Sequence, residues 1–213
     1  MRVIPGHVRR RALRYARAHH LVQLAVGLPA GTTAAYFAAD RELVIPASTA
    51  SGSVAMASML YTALPFAMLI AVSLHSSMAS LEQAATSVLR RAELIHLTLL
   101  TALSCTLFAA ATYAGGDHVT AGALAEAVRN VLLFLGFGLI SARLFGRALA
   151  WVLPLADFVV VGYWGARDGG VPRWWAWQFH SHASVIAWIG TLLTLAAGVA
   201  VLWYLPRGVL RPR

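Results

Sequence analysis

The chain has 213 residues, of which 59% are hydrophobic and only 12% are charged. Soluble domains carry about 25% charged residues, so this composition, with its apolar residues in long blocks, excludes an ordinary soluble domain and predicts a polytopic membrane protein. The formal net charge of +9 comes from arginines that flank the apolar blocks, as in membrane proteins, and does not indicate a nucleic-acid partner.

The first predicted element is a basic segment at residues 7–20, HVRRRALRYARAHH. Val8, Ala12 and Tyr15 fall on one helical face, and arginines fall on another. This pattern predicts an amphipathic helix that lies in the membrane interface, with a disordered basic tail as the alternative. Because the sequence begins at Met1, the apolar block that follows is interpreted as a retained span rather than a cleaved signal peptide.

Six apolar blocks match the roughly 20 residues that a helix needs to cross a bilayer. They predict one transmembrane domain over residues 1–213, with an all-α fold of six membrane-spanning helices. The predicted spans lie at about 20–39, 54–74, 95–114, 123–143, 148–164 and 184–205.

Arginines are distributed unevenly between the two sides of these spans. Thirteen of them lie on the side that holds both termini, and four, Arg41, Arg129, Arg167 and Arg173, lie on the other. Positive residues favour the cytoplasmic side. We therefore expect a multi-pass protein of the plasma membrane with both termini in the cytoplasm.

A polar segment, LHSSMASLEQAATSVLRRAELIH at residues 74–96, separates the second and third spans. Ser80 and Gln83 have the spacing of a capping box, and the apolar residues that follow fall on one helical face. The pattern predicts a short helix at the cytoplasmic surface. Its polar face is available to a partner in the cytoplasm.

Asp157 and Arg129 are the charged residues that lie farthest from the ends of their predicted spans. Asp157 lies seven residues before Trp164, roughly 10 Å below the interface, and Arg129 lies at a similar depth in the fourth span. Charges at such depth usually face a partner or a water-filled cavity. We expect Arg129 and Asp157 to pair or to share a polar cavity, either as an ion pair between spans or in a role with substrate or protons.

The segment before the last span is rich in aromatic residues. Trp174, Trp175 and Trp177 are typical of the membrane–water boundary, and residues 165–183 are expected to form a short helical hairpin in the outer leaflet.

Histidines provide a further, weaker hypothesis. His180 and His182 would supply two metal ligands, fewer than zinc requires, so metal binding at this pair stays open. His75 and His96 bracket the cytoplasmic segment and leave a His-ligated membrane redox subunit as an alternative function.

Several motifs of soluble enzymes are missing from the sequence. The chain contains no lysine, so it cannot hold a Walker A site, in which the lysine contacts phosphates. HExxH and GxSxG motifs are also absent. We predict that the chain is not an enzyme. Small residues recur instead within the spans, in AVGLPAGTTAA, FLGFGLISA and IGTLLTLAAGVA, and predict close helix packing in the bundle or against a second copy.

This layout resembles the permease subunit of ABC-2-type exporters. The basic segment HVRRRALRYARAHH is similar to the elbow helix of that family, SLEQAATSVLRRAELIH to its cytoplasmic coupling helix, and GARDGGVPRWWAWQFHSH to its extracellular hairpin. The motifs LE, RRAELIHL and WWAW are also similar to small actinobacterial permease-like proteins. The resemblance covers the whole chain, which is short for the family.

The resemblance implies a mechanism and partners. Two permease chains, identical or paralogous, would pair with two separate ABC ATPase subunits that hold ATP and Mg²⁺, so this chain would need no cofactor of its own. The system would export a hydrophobic or amphipathic small molecule, peptide or lipid, such as an antibiotic. The coupling helix would dock on the ATPase through four charged residues, Glu82, Arg90, Arg91 and Glu93. A non-transporting accessory or immunity protein of the membrane is the main alternative.

Overall fold

A computed structural model describes residues 21–74 and 87–204. The predicted interfacial helix at residues 7–20 and the first half of the predicted coupling helix lie outside this range. The described part folds into six α-helices and one β-hairpin. The helices are α1 (Leu21–Ala38), α2 (Met59–Ser73), α3 (Ser87–Gly115), α4 (Ala121–Phe145), α5 (Val152–Trp164) and α6 (Val185–Tyr204).

A two-stranded antiparallel sheet separates α1 from α2, so the all-α prediction is wrong here. Strands β1 (Glu42–Pro46) and β2 (Ser53–Ala57) pair with Glu42 opposite Ala57. Gly52 has a φ of +71° in the connecting turn, a conformation that favours glycine. The predicted second span began at residue 54, but its first residues form β2. The prediction missed this strand because an average of hydropathy does not detect strand pairing.

The helices alternate in direction along the chain. As a result, the β-hairpin, the turn between α3 and α4, and the segment between α5 and α6 gather at one end of the bundle, called the hairpin end below. Asp40 Oδ2 accepts a hydrogen bond from the Asp117 amide at 2.9 Å, and Asp168 Oδ1 accepts one from the Ala50 amide at 2.6 Å. This end holds all four arginines that the sequence assigns to the arginine-poor side.

Three stretches of the described helices are long and apolar enough to cross a membrane: Glu93–Gly115, Ala121–Phe145 and Val185–Tyr204. Helices α2 and α5 are apolar but have only 15 and 13 residues. The described residues therefore support a membrane protein without establishing six spans. The predicted fifth span began at residue 148, where the chain instead forms a 3₁₀ turn before α5.

Helix α4 forms the centre of the bundle. In the most apolar part of its membrane-crossing stretch, 56% of the residues are buried, compared with 28% for α3 and 22% for α6. Thr120 caps its first turn by accepting a hydrogen bond from the Ala123 amide. On either side of it, α2 and α6 make its most extensive contacts.

Glycines allow α4 and α6 to approach closely. A Cβ atom at Gly136 would lie 2.8 Å from the Thr194 carbonyl oxygen, and one at Gly198 would lie 2.7 Å from the Gly136 carbonyl oxygen. The packing predicted from FLGFGLISA and IGTLLTLAAGVA is therefore present within one copy of the chain.

The segment between α5 and α6 is not the predicted helical hairpin. It contains two 3₁₀ turns, Asp168–Gly170 and Trp177–Phe179, and a single β-bridge between Ala166 and Pro172. Gly169 and Gly170 both have positive φ, which interrupts helical geometry. The segment is held by its own turns and bridge and, as described below, by contacts to the bundle.

Candidate functional site

The charged residue most deeply buried at the hairpin end is Arg129 of α4, whose side chain is 0% exposed. Its guanidinium donates three hydrogen bonds to backbone carbonyls: to Ser181 at 3.0 Å, to Gln178 at 3.4 Å and to His180 at 2.6 Å. A buried cation is costly unless hydrogen bonds replace its hydration. Arg129 therefore fixes the segment before α6 onto the centre of the bundle.

One helical turn earlier, Glu126 adds a second anchor for the same segment. Its Oε1 atom accepts a hydrogen bond from the His182 amide at 2.7 Å and lies 3.6 Å from His182 Nδ1. Residues three apart share a helix face, so Glu126 and Arg129 together hold residues 178–182. The term "latch" is used below for this contact between α4 and residues 178–182.

Asp157 joins the latch from α5 through a side chain rather than through the backbone. Its Oδ2 atom accepts a hydrogen bond from the Gln178 side-chain amide. Arg129 and Asp157 thus do not bond to each other, but both bond to Gln178, Arg129 at its carbonyl and Asp157 at its side chain. The structure therefore brings Arg129 and Asp157 to a common partner, Gln178, which lies between them.

The three tryptophans predicted at the interface have different surroundings. Trp174 is exposed, whereas Trp175 and Trp177 are partly buried. The Trp177 ring covers Gly190 of α6, where a Cβ atom would lie 2.5 Å from Trp177 Cε2. Trp177 therefore packs the latch segment against α6.

His180 and His182, the two possible metal ligands, contact different partners. His180 Nε2 lies 3.0 Å from the Arg173 carbonyl oxygen, and His182 contacts Glu126. Within residues 21–74 and 87–204, no three His, Cys, Asp or Glu side chains come together as metal ligands would. His75 lies outside these ranges, so its position relative to His96, on which the alternative of a His-ligated redox subunit depends, is not described.

The charged residues of the predicted coupling helix lie at the opposite end of the bundle or outside the described residues. Glu82 lies outside them. Arg90 and Arg91 belong to the first turns of α3, and Glu93 is partly buried a little further along. Because α3 runs without a break from Ser87, the described half of the predicted coupling helix continues directly into the third predicted span.

Three residues at this site were not singled out from the sequence: Glu126 and Gln178 of the latch, and Gly190 of α6 beside it. Gln178 is the single amide side chain in the aromatic run WWAWQF, and a polar residue in such a run is a signal that could have been used. Gly190 gave no comparable signal, because its role depends on a tryptophan brought against it by the fold.

A lateral groove lies between α1 and α3 on the surface of the bundle. Its volume is about 740 Å³, and its wall is mostly leucine, with Thr32, Thr33 and His96 as polar members. This volume falls within the range of about 300–1,000 Å³ that small-molecule sites occupy.

Comparison of the chain with protein-family models, curated proteins and solved structures finds no match.

Proposed function

We propose that the chain is the membrane permease subunit of an ATP-driven exporter of the ABC-2 type, which moves a hydrophobic or amphipathic molecule out of the cell. Three helices long and apolar enough to cross a membrane support a membrane-embedded subunit. The ATP and Mg²⁺ would be held by two separately encoded ABC ATPase subunits, since a chain without lysine has no Walker A site. A second permease chain would complete the complex.

The observation that carries this proposal is the length of α3. Its 29 residues correspond to roughly 44 Å at 1.5 Å per residue, whereas the hydrocarbon core of a bilayer is about 30 Å thick. Two to three turns therefore extend beyond the core. The membrane-crossing stretch begins at Glu93, so the residues before it, about 9 Å of helix, form most of the extension, and they carry Arg90 and Arg91.

This extension lies at the arginine-rich end of the bundle, opposite the hairpin end. The positive-inside bias supports a cytoplasmic location for this end and for both termini. An ATPase could then contact Arg90, Arg91 and Glu93 of α3, together with Glu82 just before it.

The internal sequence of α3 suits the transmission of force. Sharp kinks in helices occur mostly at proline, at glycine–serine pairs or at inserted side chains, and α3 contains no proline and no glycine before Gly115. A push at its N-terminal turns would move the helix as a rod. The helices that it contacts, chiefly α1, would follow.

The test is co-expression with the ABC ATPase encoded beside the gene, followed by purification in mild detergent and measurement of ATP hydrolysis. We expect a stable complex whose hydrolysis is stimulated by this chain. The double variant Glu82→Arg with Arg90→Glu should abolish binding. Ala92→Pro should preserve binding but abolish stimulation, because proline breaks the continuity of the helix.

Ala92→Ser is the matched control at the same position and should behave as the wild type. All variants are compared for thermal stability, so that misfolding is not mistaken for lost coupling. If no ATPase is encoded nearby, or if the wild-type chain does not bind it, the exporter proposal is rejected in favour of a non-transporting accessory or immunity protein.

A further inference from the structure

Helix α5 is the shortest of the six described helices, and one of its faces is exposed along its whole length. Trp151, which directly precedes the helix, and Leu155, Val159 and Tyr163 within it are between 39% and 53% exposed. Residues four apart lie on one side of a helix, so these four form a single row, called the α5 stripe below. The stripe carries no charged residue and therefore suits an apolar surrounding.

Aromatic residues occupy both ends of the α5 stripe. At one end, the Trp151 indole N–H donates to the Ala148 carbonyl at 2.9 Å. At the other end, the rings of Tyr163 and Trp164 pack edge to face with their centroids 4.6 Å apart. Trp and Tyr rings favour the boundary between hydrocarbon and water. The stripe therefore has the composition of a surface that crosses hydrocarbon from one boundary to the other.

The α5 stripe is short for that role. From Trp151 to Trp164 it extends about 20 Å at 1.5 Å per residue, whereas the hydrocarbon core of a bilayer is about 30 Å thick. Tilting a helix shortens its projection on the bilayer normal, so tilt cannot supply the missing length. Helix α6, with 20 residues, extends about 30 Å and matches the core.

The residues beyond α5 at the hairpin end cannot lengthen its apolar surface. After Trp164 the chain leaves α-helical geometry, and Arg167 and Asp168 are exposed. The β-hairpin packs on the same end, where a Cβ atom at Gly162 would lie 3.0 Å from Ile45 Cδ1. Exposed irregular backbone and open sheet edges do not occur in hydrocarbon. The apolar surface therefore ends at about Trp164.

The other end of α5 has a similar limit. The Leu153 amide donates to Ser141 Oγ at 3.3 Å, which places the first turn of α5 beside the last turns of α4. The chain between the two helices forms the 3₁₀ turn Arg147–Leu149, in which Ala148 and Leu149 are exposed. Irregular backbone limits the apolar surface here as well. Beside α5 the surface is therefore about 10 Å thinner than the hydrocarbon core.

The composition of this face favours lipid over a second copy of the chain. Interfaces between membrane helices are enriched in small residues, which allow backbones to approach closely. Of the exposed residues of α5, one is small and five are large: Ala156, and Leu155, Val159, Val160, Tyr163 and Trp164. Large side chains with aromatic residues at the ends are typical of a face that contacts lipid.

We propose that α5 crosses the bilayer where the bilayer is locally thinned, and that this face of the protein selects phospholipids with short acyl chains. A helix shorter than the hydrocarbon core forces the surrounding lipid to thin, at a cost that rises with each ångström of mismatch. Short chains reduce that cost, so they should be enriched beside the α5 stripe. The inference requires neither an ATPase nor transport, so it and the exporter proposal can fail independently.

The experiment uses the full-length protein in vesicles of dioleoyl phosphatidylcholine that contain traces of two photoactivatable phosphatidylcholines. Both probes carry a diazirine at the end of each acyl chain, and they differ only in length, with myristoyl or stearoyl chains. After illumination, mass spectrometry quantifies the labelling of α5 and α6 in the same molecules. We expect the ratio of short-chain to long-chain labelling to be about two- to fivefold higher on α5 than on α6.

Two single-cysteine variants provide a second measurement, in a Cys105→Ala background. Val159→Cys lies near the middle of α5 and Leu193→Cys near the middle of α6, and both native side chains are exposed. Spin labels at these positions report their depth through collisions with oxygen and with a water-soluble nickel complex. The label on α5 should lie closer to the membrane surface by about 5 Å, half of the difference between about 20 Å and about 30 Å.

Two results would overturn the proposal. Equal labelling ratios and equal depths on α5 and α6 would mean that the bilayer has the same thickness at both faces. Absence of labelling on α5 by either probe, with normal labelling on α6, would mean that a second copy or another protein covers the α5 stripe.

Discussion

Among the neighbouring helices that run in the same direction, the pairs α4–α6 and α1–α3 pack differently. Helices α4 and α6 meet through Gly136 and Gly198, whose missing side chains bring the two backbones into contact. Helices α1 and α3 touch at Gly115 and are separated elsewhere by leucines that line a groove. The size of the side chains between two apolar helices thus decides whether the pair closes or leaves a cavity.

The two pairs also differ in the polar bonds that hold them. The fully buried Arg129 of α4 bonds to the backbone that leads into α6, in a region of low dielectric where such bonds are strong, whereas the bond from the His182 amide to Glu126 is exposed. The bond between Asp40 and the Asp117 amide links the ends of α1 and α3, but it is exposed. The α4–α6 pair is therefore expected to be rigid, and the α1–α3 pair is the one that can change its separation.

The largest loss of stability is expected for Arg129→Leu, which removes the polar bonds made by the buried arginine of the α4–α6 pair. The substitution removes three hydrogen bonds, of which the one to the Gln178 carbonyl is buried and those to His180 and Ser181 are partly buried. Hydrogen bonds to a charged group contribute about 1.5–3 kcal/mol each, so their combined loss is expected to cost about 3–5 kcal/mol. The free energy of unfolding in a detergent titration should fall by that amount. Arg41→Leu, at an exposed arginine of the same end, should change it little, and equal losses would mean that the latch does not anchor the segment.

An intermediate effect is expected for Gly198→Val. The added side chain would meet the Gly136 carbonyl, and backbone cannot turn away as a flexible side chain can. Overpacking of this kind costs about 1–3 kcal/mol, measured as a shift in the thermal denaturation midpoint. The neighbouring exposed Ala197→Val adds a similar volume without that contact and should leave the midpoint nearly unchanged. Tolerance of Gly198→Val would show that the α4–α6 pair is not closed.

The smallest effect is expected for Leu99→Ala in the groove. Leu99 is 66% exposed, and surface substitutions usually change stability by about 0.5 kcal/mol or less. Leu100, the next residue and also a groove residue, is only 7% exposed, so Leu100→Ala should cost about 2–5 kcal/mol. A comparison of the thermal denaturation midpoints of the two variants would distinguish the exposed surface of the groove from the buried core beneath it. A large loss in Leu99→Ala would indicate a filled, tightly packed interface instead of a groove.

Hydropathy predicted both ends of three of the six described helices, because helices that cross or fill an apolar region have a high content of apolar residues. Helices α1, α4 and α6 begin and end within two residues of the blocks predicted at 20–39, 123–143 and 184–205. The failure at residues 53–57 has a different cause. Those residues are apolar enough to extend a span, but they pair with a strand about ten residues earlier, and pairing energy does not appear in a local average.

The candidate site was predicted in part for a similar reason. The depth of Arg129 and Asp157 in apolar blocks indicated that each needs a partner. The partners lie 49 and 21 residues away along the chain, and those of Arg129 are backbone carbonyls, which every residue carries. No side-chain pattern could have identified them. Only the amide of Gln178 was open to recognition from the sequence.

The bonds between Arg129 and the backbone have a consequence for synthesis of the protein. The nearest carbonyl in sequence that Arg129 contacts is 49 residues ahead of it, so at about 5–20 residues per second the ribosome needs about 2 to 10 s to deliver it. During that interval α4 holds a guanidinium that lacks its final partners. The latch can therefore form only after α5 and residues 178–182 have been made, and in ribosomes stalled before residue 178 we expect Arg129 to lack these bonds.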